Sequence, residues 1–267
     1  MTAAPPATDP HLSRIQLWSC GGGRQSAGIA AFIVQGRLPK PDHVAMVALE
    51  WEKRTTFEYV NAYIRPAIRA LGIPFTYVSR KKYDDYGLWG GADGRTLLIP
   101  AHSNITGQSS KLSEFCSGKW KRDVMARWAN EQPGWKKRGV DNWIGISWEE
   151  RRRRRGPRKK WFQAVYPLLD FLPQAVHVSA CLQAVEEAGW PLPPRSRCTH
   201  CPNQGDAEWA ELTAEEFEAV CRMEDDWRKI DPNAFAHKSL IPLRQVVLQP
   251  KAESDGLFGG CQAGMCF

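Results

Sequence analysis

The chain has 267 residues, a formal net charge of +7 and an isoelectric point near 9.0. This length can bury the core of one large α/β domain, and the positive charge favours anionic partners such as nucleotides, sulfate esters or nucleic acid. The sequence has no apolar run approaching the roughly 18 residues of a membrane span and starts without the pattern of a signal peptide, so we expect no membrane contact and a cytoplasmic protein.

A glycine-rich stretch follows a Pro- and Ala-rich segment, residues 1–13, that is expected to be a loose tail. An apolar run stops at three glycines, and an apolar helix then opens near Ser26 and ends at Gly36. Glycine lets backbone N–H groups approach an anion, and the helix dipole favours one there. The order predicts a nucleotide-phosphate cradle, although neither GxGxxG nor a P-loop ending is present. The candidate binding residues are Gly21, Gly22, Gly23, Arg24, Gln25 and Ser26.

One alternative and one consequence accompany this prediction. A glycine turn without a ligand is the simpler interpretation, because such turns are common. If the cradle exists, a valine at Gly22 is expected to fill it and abolish nucleotide binding.

Two more strands are predicted, HVAMVALE at 43–50 and IPFTYVS at 73–79, with a helix between them over 55–71. This alternation predicts a parallel, twisted sheet with flanking helices, a Rossmann-like α/β fold. Ligands of such sheets bind at the carboxyl ends of the strands. Glu50 and Glu52 could therefore face a ribose or a magnesium ion, or they could be surface carboxylates.

The middle of the chain combines an irregular stretch with a cysteine. Residues 81–115 are rich in Gly, Tyr and Ser and predict a lid or substrate loop. Cys116 then opens a basic, aromatic helix. Taken alone, this cysteine would be a buried apolar residue.

An arginine run follows the next predicted strand. WIGIS at 143–147 predicts a short buried strand, and five consecutive arginines occupy 151–155. Such a run is commonly a solvated surface. At the end of a core strand it could instead reach the cleft, where the guanidinium fork suits phosphate or sulfate. Together with Lys159, Lys160 and Trp161, the arginines could also follow a nucleic-acid backbone.

The remaining cysteines lie in the C-terminal part of the chain. A helix over 174–189 places Cys181 in the core, and acidic helical segments over 206–230 make Cys221 a poor ligand. Cys198 and Cys201 form a Cys-x-x-Cys pair able to bind a metal or a cluster, with His200 facing solvent. Cys261 and Cys266 end the chain, where they indicate either a tail fixed by a metal or redox pair or a disordered tail. In a reducing compartment, clustered cysteines favour such chemistry over disulfides.

These motifs, in this order, resemble those of the PAPS reductase-like and PP-loop ATP pyrophosphatase family, including its DNA-phosphorothioation-type members. The family pattern SGGxDS falls on 21–26, with Gly21 in place of the first serine and Gln25 in place of the aspartate. Gly145, Glu150 and Arg153 fit a Gly-x-x-x-x-Glu-x-x-Arg element, whereas LEWEK stands where the family has an Asp-Thr-Gly-like one. The resemblance spans residues 15–209 and implies one adenine nucleotide α-hydrolase-like domain over 14–267, helical and Cys-rich from 174.

The resemblance implies an enzyme that uses ATP to adenylate an acceptor, releases pyrophosphate and transfers sulfur. Arg24, Arg153 and magnesium would stabilise charge. A four-iron, four-sulfur cluster would be bound by Cys116, Cys198, Cys201 and Cys266, with Cys261 as the competing fourth ligand. Thiolates alone leave zinc open.

Two other functions stay open. In a PAPS reductase, Cys266 would attack the sulfonate, although the ECGLH-like motif is missing. In a zinc-containing nucleic-acid-binding module, the glycine loop would be idle. An adenine nucleotide is the expected ligand. DNA, tRNA or a small sulfur ester could be the acceptor, and the chain could form a homodimer.

Overall fold

The chain divides into two compact units in a computed structural model. The structure describes residues 14–83, 101–104, 110–112, 116–156 and 159–249. The first unit is drawn from 1–85 and 115–198, and the second from 86–114 and 199–267.

Strands and helices occur in both units. In chain order, the strands of the described residues are β1 (Ile15–Ser19), β2 (His43–Ala48), β3 (Phe75–Ser79), β4 (His102–Ser103), β5 (Ser110–Lys111), β6 (Val140–Trp143), β7 (Phe162–Val165) and β8 (Ala234–Phe235). The α-helices of the same residues are α1 (Arg24–Val34), α2 (Arg54–Tyr59), α3 (Arg65–Ala70), α4 (Val124–Glu131), α5 (Trp135–Arg138), α6 (Pro167–Asp170), α7 (Val178–Glu187), α8 (Asp206–Ala210) and α9 (Ala214–Ile230). Short 3-10 helices cover Arg80–Lys82, Trp148–Arg153 and Leu243–Gln245.

A five-stranded parallel sheet forms the centre of the first unit, in the order β3-β2-β1-β6-β7. Its strands are largely apolar because helices cover the faces of a parallel sheet, and Trp18 and Trp143 are among the fully buried side chains. This arrangement confirms the predicted α/β class with a parallel sheet and flanking helices, and it is consistent with a Rossmann-like fold.

Helix α1 packs closely on α7 at Gly28. A Cβ atom added to Gly28 would lie 2.8 Å from the Sγ atom of Cys181 and 2.9 Å from its Cα atom. The two helices therefore approach each other where neither has room for another atom. Cys181 is fully buried there, as predicted.

Two boundaries predicted in the middle of the chain are wrong. The strand predicted at 143–147 is Val140–Trp143, and residues 144–147 are irregular. Asp141 and Asn142 hid this strand, because polar residues rarely occupy a central strand. The helix predicted from 174 begins at Val178. The N–H group of Val178 donates a hydrogen bond to Oε1 of Glu149 at 3.2 Å.

Two segments of π-helix interrupt the helices in the described part of the first unit. Val60–Ile64 joins α2 to α3, whose second residue, Pro66, cannot donate a backbone hydrogen bond. Ser117–Asp123 precedes α4. A π-helix bonds residue i to i+5 and is often found at functional positions.

The second unit contains a three-stranded antiparallel sheet, in the order β5-β4-β8, and the helices α8 and α9. The strands β4 and β5 fall inside 81–115, the stretch predicted to be a lid. Most of that stretch, and residues 250–267 with Cys261 and Cys266, lie outside the described residues.

Candidate functional site

The glycine turn joins β1 to α1 at the carboxyl edge of the sheet. Gly22 has a φ of +74°, and Gly23 is the N-cap of α1, in extended conformation and without a side-chain cap. The helix begins at Arg24, two residues before the predicted Ser26, and has no acidic residue in its first turn. The first N–H groups of a helix have no partner within it and lie at the positive end of its dipole. This end of α1 can therefore bind an anion.

Hydrogen bonds inside the turn use two of its N–H groups. The N–H of Gly21 donates to the Ser26 hydroxyl at 2.9 Å. Burial raises the pKa of the Cys20 thiol to about 12, although hydrogen bonds from the Gly22 backbone and the Ser26 side chain lower it. The donors suited to a ligand are therefore those of the first turn of α1, rather than those of Gly21 and Gly22.

Two glycines of the turn pack against neighbouring residues. A Cβ atom at Gly22 would lie 2.5 Å from Cγ2 of Thr56 and 3.1 Å from Cγ2 of Val60. A Cβ atom at Gly23 would lie 3.1 Å from Cβ of Ser196. A side chain at Gly22 would clash with the helix that follows β2, so the variant with valine there tests packing before it tests a ligand.

The glycine turn lies where the order of the sheet reverses. From β1 the chain continues to β2 and β3 on one side, whereas β6 and β7 lie on the other. The ends of β1 and β6 are joined by a hydrogen bond from the Ser19 hydroxyl to Oδ1 of Asn142 at 2.6 Å. A Cβ atom at Gly145 would lie 3.3 Å from Cβ of Gln25 and from Cδ1 of Ile29. Such a switch point is the usual ligand position in open α/β sheets.

Glu150 connects the arginine run to α1. Its Oε2 atom accepts a hydrogen bond from Nε2 of Gln25 at 3.0 Å, and its Oε1 atom pairs with Nη1 of Arg153 at 2.5 Å. The structure thus brings together Gly145, Glu150, Arg153 and the start of α1. Arg24, the first residue of α1, is partly buried.

The two carboxylates after β2 are both paired with cations of the protein. Glu50 lies 3.1 Å from Nε of Arg80, whose guanidinium stands 4.9 Å from the centre of the Trp51 ring. Glu52 has a fully buried side chain and pairs with Nζ of Lys121 at 2.9 Å. The surface-carboxylate alternative is therefore wrong for Glu52.

Lys121 lies close to two of the predicted cysteine ligands. Burial lowers the pKa of Lys121, but the Glu52 carboxylate and negative charge on the sulfur atoms of Cys198 and Cys116 outweigh it and raise the pKa. Cys116 immediately precedes the π-helical segment, which places it and Lys121, five residues on, on one helix face. The backbone of Cys198 forms an isolated antiparallel bridge with Glu52. Cys116 and Cys198 are thus both within electrostatic range of one ammonium group in the first unit.

The other three predicted ligands lie outside the described part of the first unit. Cys201 belongs to the second unit, whose boundary falls between Cys198 and Thr199. Cys261 and Cys266, including the proposed nucleophile, lie outside the described residues. In the described part of the chain, no three His, Cys, Asp or Glu side chains form a group that could hold a metal ion.

Two features near these cysteines were not predicted from the sequence. The sequence predicts that His200 faces solvent, but the ring is buried and stands edge-on to Trp227 at 5.9 Å between centroids. Burial lowers the pKa of His200 to about 3, so the ring is neutral. The pairing of Lys121 with Glu52 was also not predicted, because no pattern in the sequence links the two segments.

Comparison with known proteins adds no family to this description. Neither the scan against protein-family models nor the search of curated proteins finds a match for the chain. Within the part that the structure describes, no helix is long and apolar enough to cross a membrane.

Proposed function

We propose that the chain is a nucleotide-binding enzyme, similar to PP-loop ATP pyrophosphatases and PAPS reductases, that uses ATP to activate an acceptor for sulfur transfer. One observation carries the proposal. The uncapped N-terminus of α1, entered through the glycine turn, lies beside Gly145 at the switch point between β1 and β6. Backbone donors and a helix dipole at that position favour a nucleotide phosphate.

The residues at this position suit charge stabilisation. The first-turn N–H groups of α1 would bind the phosphates, and Arg24 and Arg153 would balance charge on the leaving pyrophosphate. Gln25 cannot act as a base, and it holds Glu150 instead. Because Glu50 and Glu52 pair with Arg80 and Lys121, a magnesium ion would be held by the nucleotide phosphates and water.

The proposed four-iron, four-sulfur cluster fits the described residues only in part. Cys116 and Cys198, beside Lys121, would supply two thiolates, and the ammonium would balance their negative charge. Cys201 and either Cys266 or Cys261 would complete the set. When bound, such a cluster supplies electron transfer or sulfur handling; zinc, the alternative metal, would supply structure alone.

Two other functions stay as alternatives. A PAPS reductase would use the same helix N-terminus for the phosphates of PAPS and would need a nucleophilic cysteine, for which Cys266 is the candidate. A zinc-containing nucleic-acid module would leave the glycine turn without a ligand. The lack of a carboxylate at Gln25 and the ion pairing of Glu50 and Glu52 favour an anion site with little acid–base chemistry, which both enzymes share.

Nucleotide binding tests the proposal directly. ATP binding to anaerobically purified protein would be measured by calorimetry for the wild type, Arg24→Ala and Arg37→Ala. Arg37 is the matched control, because it follows the opposite end of α1 and is paired with Glu187. We expect about a tenfold loss of affinity in the first variant, about 1.4 kcal/mol, and none in the control. A wild type that binds neither ATP nor PAPS would refute the site.

Product analysis separates the alternatives. Pyrophosphate released from ATP in the presence of candidate acceptors supports adenylation, and sulfite released from PAPS supports the reductase. A brown protein absorbing near ~400 nm indicates the cluster. A colourless protein with one zinc and no nucleotide affinity would favour the binding module.

A further inference from the structure

We propose that the edge of the sheet at β7 carries a binding surface for single-stranded nucleic acid. The surface, here called the basic band, consists of six exposed cationic residues of the first unit: Arg152, Arg155, Lys159, Lys160, Lys136 and Lys137. The proposal concerns a macromolecular contact and does not depend on the nucleotide chemistry proposed above.

The fold places four of these residues at the two ends of the edge strand β7 and the other two beside the start of β6. The sheet ends at β7, which pairs with β6 on one side only. At the carboxyl end of β7, the Tyr166 hydroxyl accepts from the backbone N–H of Arg155 at 2.9 Å. At the amino end, Lys159 and Lys160 precede β7, and Lys136 and Lys137 lie in α5, just before β6. The N–H of Val140 donates to the carbonyl of Trp161 at 2.6 Å, which joins these two segments.

The charge of the band is not neutralised by the carboxylates around it. Glu149 pairs with His177, Glu150 with Arg153 and Asp170 with Arg154. Asp141 is buried and pairs with Arg14. Among the described residues, none of the six side chains of the band forms an ion pair, so a polyanion would be the natural source of counter-charge.

An exposed tryptophan lies next to the band. Trp148 is 40% exposed, and the Arg151 guanidinium stands 4.1 Å from its ring centre. Exposed aromatic rings interleaved with cations are typical of surfaces that stack single-stranded bases, whereas duplex binding needs only the phosphates. This residue is the reason for choosing a single strand.

The dimensions suit a short stretch of strand. From Trp161 to Tyr166 the chain advances five residues, or about 16 Å at roughly 3.3 Å per residue. Nucleotides in one strand rise about 3.4 Å each, so the band spans about five of them. If five phosphates are neutralised, the logarithm of affinity should fall with that of salt concentration with a slope of about −3.5.

Fluorescence anisotropy with a labelled oligothymidine 12-mer tests the band on the full chain. We expect binding at low salt with a slope near −3.5, and a slope smaller by about 1.4 in each of the double variants Arg152→Ala/Arg155→Ala and Lys159→Ala/Lys160→Ala. The matched control is Lys40→Ala/Arg69→Ala, which removes two exposed charges on the β2 and β3 side of the sheet. Arg24 and Arg153 are left intact, so ATP binding should not change.

A second variant tests the choice of a single strand. Trp148→Ala should weaken oligothymidine binding about tenfold while leaving the salt slope unchanged, because stacking carries no charge. Equal loss in the Lys40/Arg69 control and the band variants would overturn the surface, as would an absence of binding at low salt. Equal affinity for a duplex, with no effect of Trp148→Ala, would overturn the single-strand assignment. Unaltered ATP affinity in these variants keeps the outcome separate from the proposed function.

Discussion

The Glu52 carboxylate and the Lys121 ammonium form an ion pair of 2.9 Å that links the end of β2 to the π-helical segment after Cys116. The second oxygen of Glu52 accepts a hydrogen bond from the Ser196 hydroxyl at 2.6 Å, and the backbone of Ser196 lies beside Gly23. One buried carboxylate therefore connects the glycine turn, the segment that leads to Cys198 and the helix of Lys121. The position of Cys198 relative to α1 depends on this carboxylate.

Replacing Glu52 by Gln should destabilise the first unit. The substitution leaves Lys121 without its countercharge in a partly buried position, and we expect a loss of about 1 to 3 kcal/mol in the free energy of unfolding, less than for a fully buried pair because Lys121 reaches solvent. Denaturant unfolding measures it. Glu58→Gln is the control, since the pair of Glu58 with Arg54 is exposed and should contribute only about 0.3 to 0.5 kcal/mol. Equal effects of the two substitutions would contradict the role of Glu52.

The glycine turn offers a comparison between neighbouring positions. Gly22→Ala requires an unfavourable φ of +74° and a Cβ atom 2.5 Å from Thr56, so it should cost about 2 to 4 kcal/mol. Gly21→Ala places its Cβ atom 3.6 Å from the Ser26 hydroxyl, an ordinary contact, and should change stability by less than about 1 kcal/mol.

Thermal unfolding of the two turn variants measures the packing of the turn, and their affinity for ATP measures ligand binding. Gly21→Ala should keep the ATP affinity of the wild type, because the N–H of residue 21 already donates to Ser26. If Gly22→Ala were as stable as Gly21→Ala, the packing of Gly22 against α2 would be wrong.

The sequence predicted the sheet better than the site, for reasons visible in particular residues. The strands β1 to β3 are apolar runs, and such runs mark buried parallel strands. By contrast, Asp141 and Asn142 belong to β6 because Arg14 and Ser19 satisfy them, and those partners lie more than 120 residues away in sequence.

The same limitation applies near the cysteines. The burial of His200 depends on Trp227, and the pairing of Glu52 depends on Lys121. No periodicity in the sequence encodes either contact, because each joins segments that only the tertiary fold brings together. The glycine turn could be found because it lies directly after a strand, whereas Gly145, Glu150 and Arg153 were found through their resemblance to a family pattern.

The two buried thiols of the first unit should be inert in the folded protein. Burial raises the pKa of Cys20 and of Cys181 to about 12, so each has about a thousandfold smaller thiolate fraction at pH 8 than an ordinary cysteine. In metal-free protein, mass spectrometry after iodoacetamide treatment should find Cys116, which is partly exposed, labelled well before them. Labelling of Cys181 at the rate of Cys116 would contradict its burial against Gly28.

The same shift determines a pH dependence. A folded-state pKa above the unfolded value means that the folded protein retains the proton longer, so stability falls as pH rises from about 9 towards 12. Cys181→Ala should make the free energy of unfolding less dependent on pH in that window, as measured by denaturant titrations at several pH values.

Glu224 provides the corresponding test in the second unit. Its buried carboxylate accepts hydrogen bonds from the N–H groups of Ala236 at 2.8 Å and Leu243 at 2.6 Å. Burial raises its pKa, although these two hydrogen bonds oppose the shift. The folded state therefore binds the proton more tightly, and stability should decline as pH rises above about 4.5.

Glu224→Gln should flatten that decline, because an amide does not ionise and its oxygen can still accept from the backbone. Glu224→Ala should instead lower stability at every pH, by about 1 to 3 kcal/mol for each N–H group left unpaired. The control is Asp226→Asn, whose exposed pair with Lys229 should contribute little. Urea titrations between pH 4.5 and 8 measure all three, and a pH dependence of Glu224→Gln identical to that of the wild type would show that another group titrates in this range.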